Sequence, residues 1–196
     1  QAQIKNIVKY ASERFIQIVP EIDMPGHAGA SNRAYPEFSG GGSKDYPEFT
    51  FNPGYEGTYG YLTEILKEVT EMFPSPWIHL GGDEVHFGNQ QWNTNLRVRS
   101  FMLKNNLNDL KSVEKYFVRR MSDTIQNLKK TTIGWDEIID SGISPENSIV
   151  MWWRHDRQDQ LKNAFAAGYR VILCPRIPLY FDFVQYKEHK WGRRWR

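Results

Sequence analysis

Apolar residues recur along this chain first at helical spacing, then in short strand-like runs, and the two patterns alternate. Ile4, Ile7, Val8, Ala11 and Phe15 fall three or four apart, so the spacing predicts an amphipathic helix over residues 1–13. The run FIQIVPEI at 15–22 reads as a strand. Asp23, Met24, Pro25, Gly26 and His27 follow as a turn carrying an acid and an imidazole. Residues 28–57 are rich in Gly, Pro, Ser, Tyr and acids and read as a long functional or mobile loop. Leu62, Ile65, Leu66, Val69 and Phe73 predict a helix over 61–73, ended by Pro74 and Pro76. Trp77 and Ile78 then form a short buried strand. A helix is expected over 92–105. Val113, Phe117, Met121, Ile125 and Leu128 mark another, with Ser112 as its cap. Further strands are expected at 131–135, 148–153 and 170–174, and a short helix around Leu161, Ala164 and Phe165 stops at Gly168.

Strands alternating with helices argue for parallel βα units. The chemistry-bearing side chains gather just after the strands: Asp23 and His27, Asp83 and Glu84, Trp135, Trp153, then Tyr180 and Asp182. That bias is expected of a (β/α)8 TIM barrel, whose site is built at the C-terminal ends of its strands. A doubly wound open sheet is the alternative, but the glycine-rich phosphate loop it usually brings is not found. The chain reads as one α/β domain over residues 1–196. Five strands do not close an eight-stranded barrel, which typically takes ~250 residues. The expectation is therefore an incomplete middle portion, about strands three to seven, whose structural partners are the missing barrel strands of a parent chain.

Composition narrows the picture modestly. A formal net charge of +2 gives no argument for a nucleic-acid or membrane partner. No apolar stretch reaches membrane-spanning length. The single Cys174 lies in an apolar run, has no partner for a disulfide or zinc site, and reads as an inert thiol. Aromatic residues make up 14% of the chain, including 7 Trp and 10 Tyr, which fits either carbohydrate-binding platforms or a large aromatic core.

The most informative stretch is His79, Leu80, Gly81, Gly82, Asp83 and Glu84. Neighbouring side chains on a regular strand point to opposite faces, so two successive acids can serve one substrate only if the backbone leaves strand geometry. Gly81 and Gly82 permit that. Two readings stand: a catalytic acid pair, or a strand ending in a solvated polar turn. His79 is expected to hydrogen-bond within the barrel. His79, Asp83, Glu84 and His86 could also be grouped as metal ligands, but their spacing is not the HExxH of metalloproteases, and neither a metal nor a cofactor is expected. Asp136 and Glu137 read as a solvated strand end. Trp152 and Trp153 must point to opposite faces, and the basic tail over 190–196 reads as a solvated or disordered end.

With these residues in view, the chain resembles glycoside hydrolase family 20, the β-N-acetylhexosaminidases. The matching pieces are EIDMPGH at 21–27, HLGGDE at 79–84, GWDE at 134–137, VMWWR at 150–154 and YFD at 180–182. The resemblance implies a carbohydrate substrate ending in N-acetylhexosamine. It implies that Glu84 is the general acid/base and that Asp83 orients the 2-acetamido group. That group's carbonyl oxygen would attack the anomeric carbon, giving an oxazolinium intermediate and net retention, the substrate-assisted exception to the two-carboxylate rule. Trp135 and Trp153 would wall the acetyl methyl. Tyr180 would hydrogen-bond the acetamido oxygen, Asp182 would contact sugar hydroxyls, and His27 would stand behind Glu84, with Asp23 and His79 in support. The family's first-strand arginine, the second-strand aspartate that pairs with the His27 counterpart, and the last strand's tryptophan and glutamate have no match here. A periplasmic or secreted setting is expected. Two rival classes remain open, a non-catalytic N-acetylhexosamine-binding barrel and a metal-dependent barrel hydrolase.

Overall fold

The structure, a computed structural model, describes residues 1–194. Its elements in order are α1 (Ala2–Ser12), α2 (Gly29–Ala34), β1 (Ser39–Gly41), β2 (Thr50–Phe51), α3 (Glu56–Met72), β3 (Trp77–His79), α4 (Leu96–Lys104), α5 (Leu110–Asn127), β4 (Thr131–Trp135), β5 (Ser148–Trp152), α6 (Gln158–Ala166), β6 (Arg170–Leu173) and the short α7 (Arg176–Leu179). β3, β4, β5 and β6 form one sheet in chain order, and all three pairings are parallel. A four-strand parallel arc with helical crossovers is part of a TIM barrel.

Strand alternation sorts the side chains. Ile78, Leu80 and Val150 point outward. They pack with Leu62 and Leu66 of α3, Phe117, Met121 and Ile125 of α5, and Ala164 of α6 in one buried core. Thr132, also outward, exchanges a 2.9 Å hydroxyl hydrogen bond with Ser122 of α5. Trp77, His79, Ile133, Trp135, Ile149, Met151 and Ile172 point inward and line a concave apolar cavity of ≈ 330 Å³. Trp152 and Trp153 do diverge: the Trp152 indole donates to the Arg157 carbonyl at 3.1 Å, while Trp153 turns toward Glu137.

Several sequence expectations are corrected. Residues 15–22 do not form a strand. Only Glu21 bridges to His79, in parallel; the His79 amide donates to the Pro20 carbonyl at 2.9 Å, and Pro20, with no N–H of its own, ends the ladder there. The amides of Ile22 and Met24 donate to the carbonyls of His79 and Leu80 at 2.9 and 3.0 Å, so this segment lies beside β3 without completing a fifth strand. Residues 28–57 are not a structureless loop. They hold α2 and the β1/β2 hairpin, and Asn32 fastens the hairpin by donating to the carbonyls of Glu48 and Thr50 at 2.8 and 2.9 Å. The α3 helix starts at Glu56, ahead of the first periodic leucine. Asp109, not Ser112, caps α5; Ser112 returns the bond to Asp109 in a reciprocal capping box. Gly168, at φ +82°, follows α6 in the left-handed region as expected. Of the basic tail, Arg193 pairs with Asp182 and Arg194 donates to the carbonyls of Lys187 and His189. Residues 195 and 196 lie outside the described residues.

Candidate active site

The strand mouth at β3 departs from extended geometry as the paired acids require. The ladder runs on to Gly81, whose carbonyl accepts the Trp135 amide at 2.9 Å. Gly81 and Gly82 then adopt φ +73° and +89°, and Glu84 itself sits at φ +53°. A left-handed non-glycine residue costs about 1–2 kcal/mol, and such conformations cluster where function over-determines the backbone. The consequence here is that Asp83 and Glu84 face the same neighbour. His27, also left-handed at φ +54°, brings Nε2 to 3.4 Å from Asp83 Oδ2 and 3.5 Å from Glu84 Oε2. Both acids thus turn to one imidazole and are only partly exposed, unlike a freely solvated polar turn.

Charge in this group follows from burial and neighbours. Asp23 is buried beside Asp83; burial first, then repulsion from Asp83, pushes its carboxyl well above the ordinary range, so it holds a proton. Burial would also raise Asp83, but hydrogen bonds from His27 and Asp23 outweigh it and keep Asp83 ionised below the ordinary range. His27 is pushed up to about 10 by its hydrogen bonds to Asp83 and Glu84, with burial opposing. The Gly82 amide donates to Asp23 Oδ1 at 3.1 Å and fixes the turn to the strand mouth. The pattern is one ionised carboxylate, one protonated carboxyl and a cationic imidazole within a few ångströms.

Among the described residues, the donor atoms that gather closely enough to hold a metal ion belong to Asp23, His27 and Asp83, all within 4.8 Å of one another. The grouping of His79, Asp83, Glu84 and His86 does not form. His79 turns toward Glu21, and His86 lies on the Phe87 ring at 4.3 Å. In this arrangement the trio is joined by the protons that Asp23 and His27 keep.

Two indoles stand over the strand mouths. The Trp135 and Trp153 rings are 6.4 Å apart and nearly perpendicular, and Tyr180 stacks parallel to Trp153 at 6.5 Å. Each indole N–H is held by a carboxylate from the preceding strand or segment: Trp135 by Glu21 at 3.0 Å, Trp153 by Glu137 at 3.1 Å. His79 is buried against Trp135, with Nδ1 3.2 Å from Glu21 and 3.0 Å from the Gly81 amide. It stays within the sheet's own bonding, as expected. Asp136 and Glu137 are not a solvated strand end: they are 0% and 7% exposed and face Arg154. Asp182 is exposed and ion-paired to Arg193 at 3.1 Å, and among the described residues no contact joins it to Asp83 or Glu84. Cys174 is half-buried, and burial pushes its thiol up to about 11, which leaves it protonated and unreactive. Sequence reading gave no role to Glu21, Glu137 or Arg154. The signal available was position: Arg154 follows Trp153 and Glu137 follows Trp135 by two, on adjacent parallel strands where such residues meet.

A parallel barrel arc with Asp83 and Glu84 gathered on His27 at one strand mouth, and two indoles at the next two, defines the class of protein. The chain belongs to glycosyl hydrolase family 20: the family's catalytic-domain model matches residues 1–196. It is 32% identical over 201 residues to human "Beta-hexosaminidase subunit beta", covering 98% of this chain and 34% of that protein. It is likewise 32% identical over 193 residues to a Porphyromonas gingivalis "Beta-hexosaminidase", covering 94% of this chain and 24% of the other. A solved β-N-acetylhexosaminidase from Bacteroides fragilis superposes with a TM-score of 0.85 at 33% identity, over 98% of this chain and 39% of that one. A Vibrio harveyi exo β-N-acetylglucosaminidase, solved with N-acetylglucosamine, gives 0.83 at 28% identity over 94% of this chain and 29% of that one. The chain thus spans about a quarter to a third of the curated relatives it matches.

Proposed function

We propose that residues 1–196 supply the acid pair and the acetamide-facing wall of a retaining β-N-acetylhexosaminidase that removes terminal β-linked GlcNAc or GalNAc. The observation that carries this reading is the convergence of Asp83 and Glu84 on His27, with Tyr180, stacked on Trp153, close enough to Asp83 to feel its charge. Glu84 protonates the glycosidic oxygen as it leaves and later takes a proton from water, the two halves of general acid-base catalysis. Asp83 stays ionised because His27 and Asp23 stabilise its charge. It is therefore suited to bind the 2-acetamido N–H and to offset the positive charge that develops as the amide oxygen closes on the anomeric carbon. The proton kept by Asp23 spares the site a second negative charge next to Asp83. The indoles hold the acetamide dry and fixed, so ring closure gains the effective molarity of a preorganised intramolecular reaction. Tyr180 is the group for the acetamide oxygen, since its hydroxyl is pushed up to about 12 by burial and remains a donor. Asp182 becomes a sugar-hydroxyl ligand only if Arg193 releases it or comes with it.

The support for a larger catalytic body is the same arc of strands. β6 has no neighbour on its far side among the described residues, and the inward face is an open apolar cavity. We infer that further strands of the whole polypeptide close this barrel. A setting outside the cytoplasm, where terminal glycan sugars are trimmed, goes with that reading. The test is hydrolysis of an aryl N-acetyl-β-glucosaminide by the full-length protein, with and without a thiazoline analogue of the oxazolinium. Hydrolysis blocked by the thiazoline is expected. Hydrolysis indifferent to it would overturn the substrate-assisted mechanism, and binding of N-acetylglucosamine without hydrolysis of any glycoside would make this a binding protein.

A further inference from the structure

Beneath Trp153 lies a set of charges that the reaction above does not use. Asp136 and Glu137 follow β4 in a tight helical turn and are buried. Arg154 leaves the end of β5 and reaches back between them, with Nε 2.7 Å from Asp136 Oδ1 and Nη1 3.5 Å from Glu137 Oε1. The other Glu137 oxygen, Oε2, accepts the Trp153 indole N–H at 3.1 Å. We propose that Glu137 is a positioning residue: clamped by Arg154 and Asp136, it fixes the plane of the Trp153 indole and so sets how tightly the site grips the acetamide, without touching the substrate. This rests on the reading that Trp153 faces the 2-acetamido group.

The geometry supports a latch rather than an incidental contact. An indole has one donor, and a buried donor left unpaired is costly. Glu137 gives it an acceptor that cannot drift, because the carboxylate is held on its other side by a guanidinium that is itself only 18% exposed. Two buried carboxylates against one guanidinium leave a surplus negative charge. Burial first, then the neighbouring Asp136, raises the Glu137 carboxyl well above the ordinary range. A proton shared between the two acids removes the surplus. It also gives a donor to Asp136 Oδ2, which otherwise has no partner, while Glu137 Oε2 still receives the indole. Trp135 is tied in the same sense to Glu21, but that carboxylate is 42% exposed and the tie is correspondingly looser.

The experiment compares Glu137→Gln and Glu137→Leu in the full-length protein, reading kcat and KM on an aryl N-acetyl-β-glucosaminide and the inhibition constant of the thiazoline. The glutamine amide oxygen can still accept the indole N–H; leucine cannot. Glu137→Leu is expected to weaken the thiazoline on the order of tenfold or more, with KM rising more than kcat falls, as loss of one buried hydrogen bond would give. Glu137→Gln is expected to stay within a few-fold of the parent. A parent protein indifferent to the thiazoline overturns the proposed function and this inference with it. A parent that is inhibited, with both variants inhibited like it or both weakened equally, overturns the positioning role alone. If Glu137→Leu does not fold, the Trp153 indole N–H resonance of the parent decides. Slow solvent exchange of that proton is expected, and exchange as fast as in free tryptophan would overturn the latch.

Discussion

Proton placement decides how the strand-mouth residues behave with pH. Asp23 holds its proton far above the pH at which an unfolded aspartate releases it, ~3.9. Above that pH the folded state binds the extra proton, so stability falls as pH rises toward the folded value. His27 is a raised base. Its contribution is complete below the unfolded value of ~6.5 and is lost as pH rises through about 10. Both terms therefore weaken the fold on the alkaline side. Asp23→Asn keeps an oxygen for the Gly82 amide and supplies a permanent donor toward Asp83, so the first term vanishes while the second stays. Thermal melts at roughly pH 5 and pH 9 should show a smaller loss for Asp23→Asn than for the parent. Equal losses would mean that Asp23 is not the group that titrates.

Elements fix where those residues can stand. Gly81 at φ +73° leads the chain past Asp23, and a Cβ there would run into the Asp23 carboxylate. Gly81→Ala is expected to cost about 1–3 kcal/mol in stability and to disturb the acid pair. Gly60, exposed within α3 with open space where its Cβ would be, is the opposite case, and Gly60→Ala should stabilise by about 0.5–1 kcal/mol. Denaturant melts of the two variants check the contrast; a Gly81→Ala protein as stable as the parent would show that the strand mouth tolerates a side chain. Much of this was legible in the sequence. Periodic leucines and β-branched runs announced α3, α5, β4 and β5, and the glycines before Asp83 announced the break. What was not legible was held by side-chain bonds rather than by periodicity. Asn32 secures the hairpin in the 28–57 stretch. Arg154 turns Asp136 and Glu137, which as a sequence look like any polar strand end, into a buried cluster.

At the scale of the whole molecule the arc is asymmetric in what it covers. Its outer face is sealed by α3, α5 and α6, while its inner face and the far edge of β6 are open, with Ile172 and Leu173 43% and 57% exposed. Unpaired edges beside apolar surface recruit other chains. Residues 1–196 expressed alone should self-associate and bind a hydrophobic dye, and gel filtration with dye fluorescence would show it. A monomer that binds no dye would mean that the arc is self-sufficient.

The two indole ties run across the sheet, not along its strands: Glu21, beside β3, reaches past it to Trp135 at the end of β4, and Glu137 with Arg154 joins the ends of β4 and β5. The repeating βα unit is therefore not the unit of inheritance for this site. A chimera that exchanges β5 with its helix between homologous barrels separates Trp153 from the acid that holds it, and one that begins at β4 separates Trp135 from Glu21. Recombination junctions that preserve the whole wall belong outside the block from Glu21 to Arg154 at the end of β5, within which both donors and both acceptors travel together.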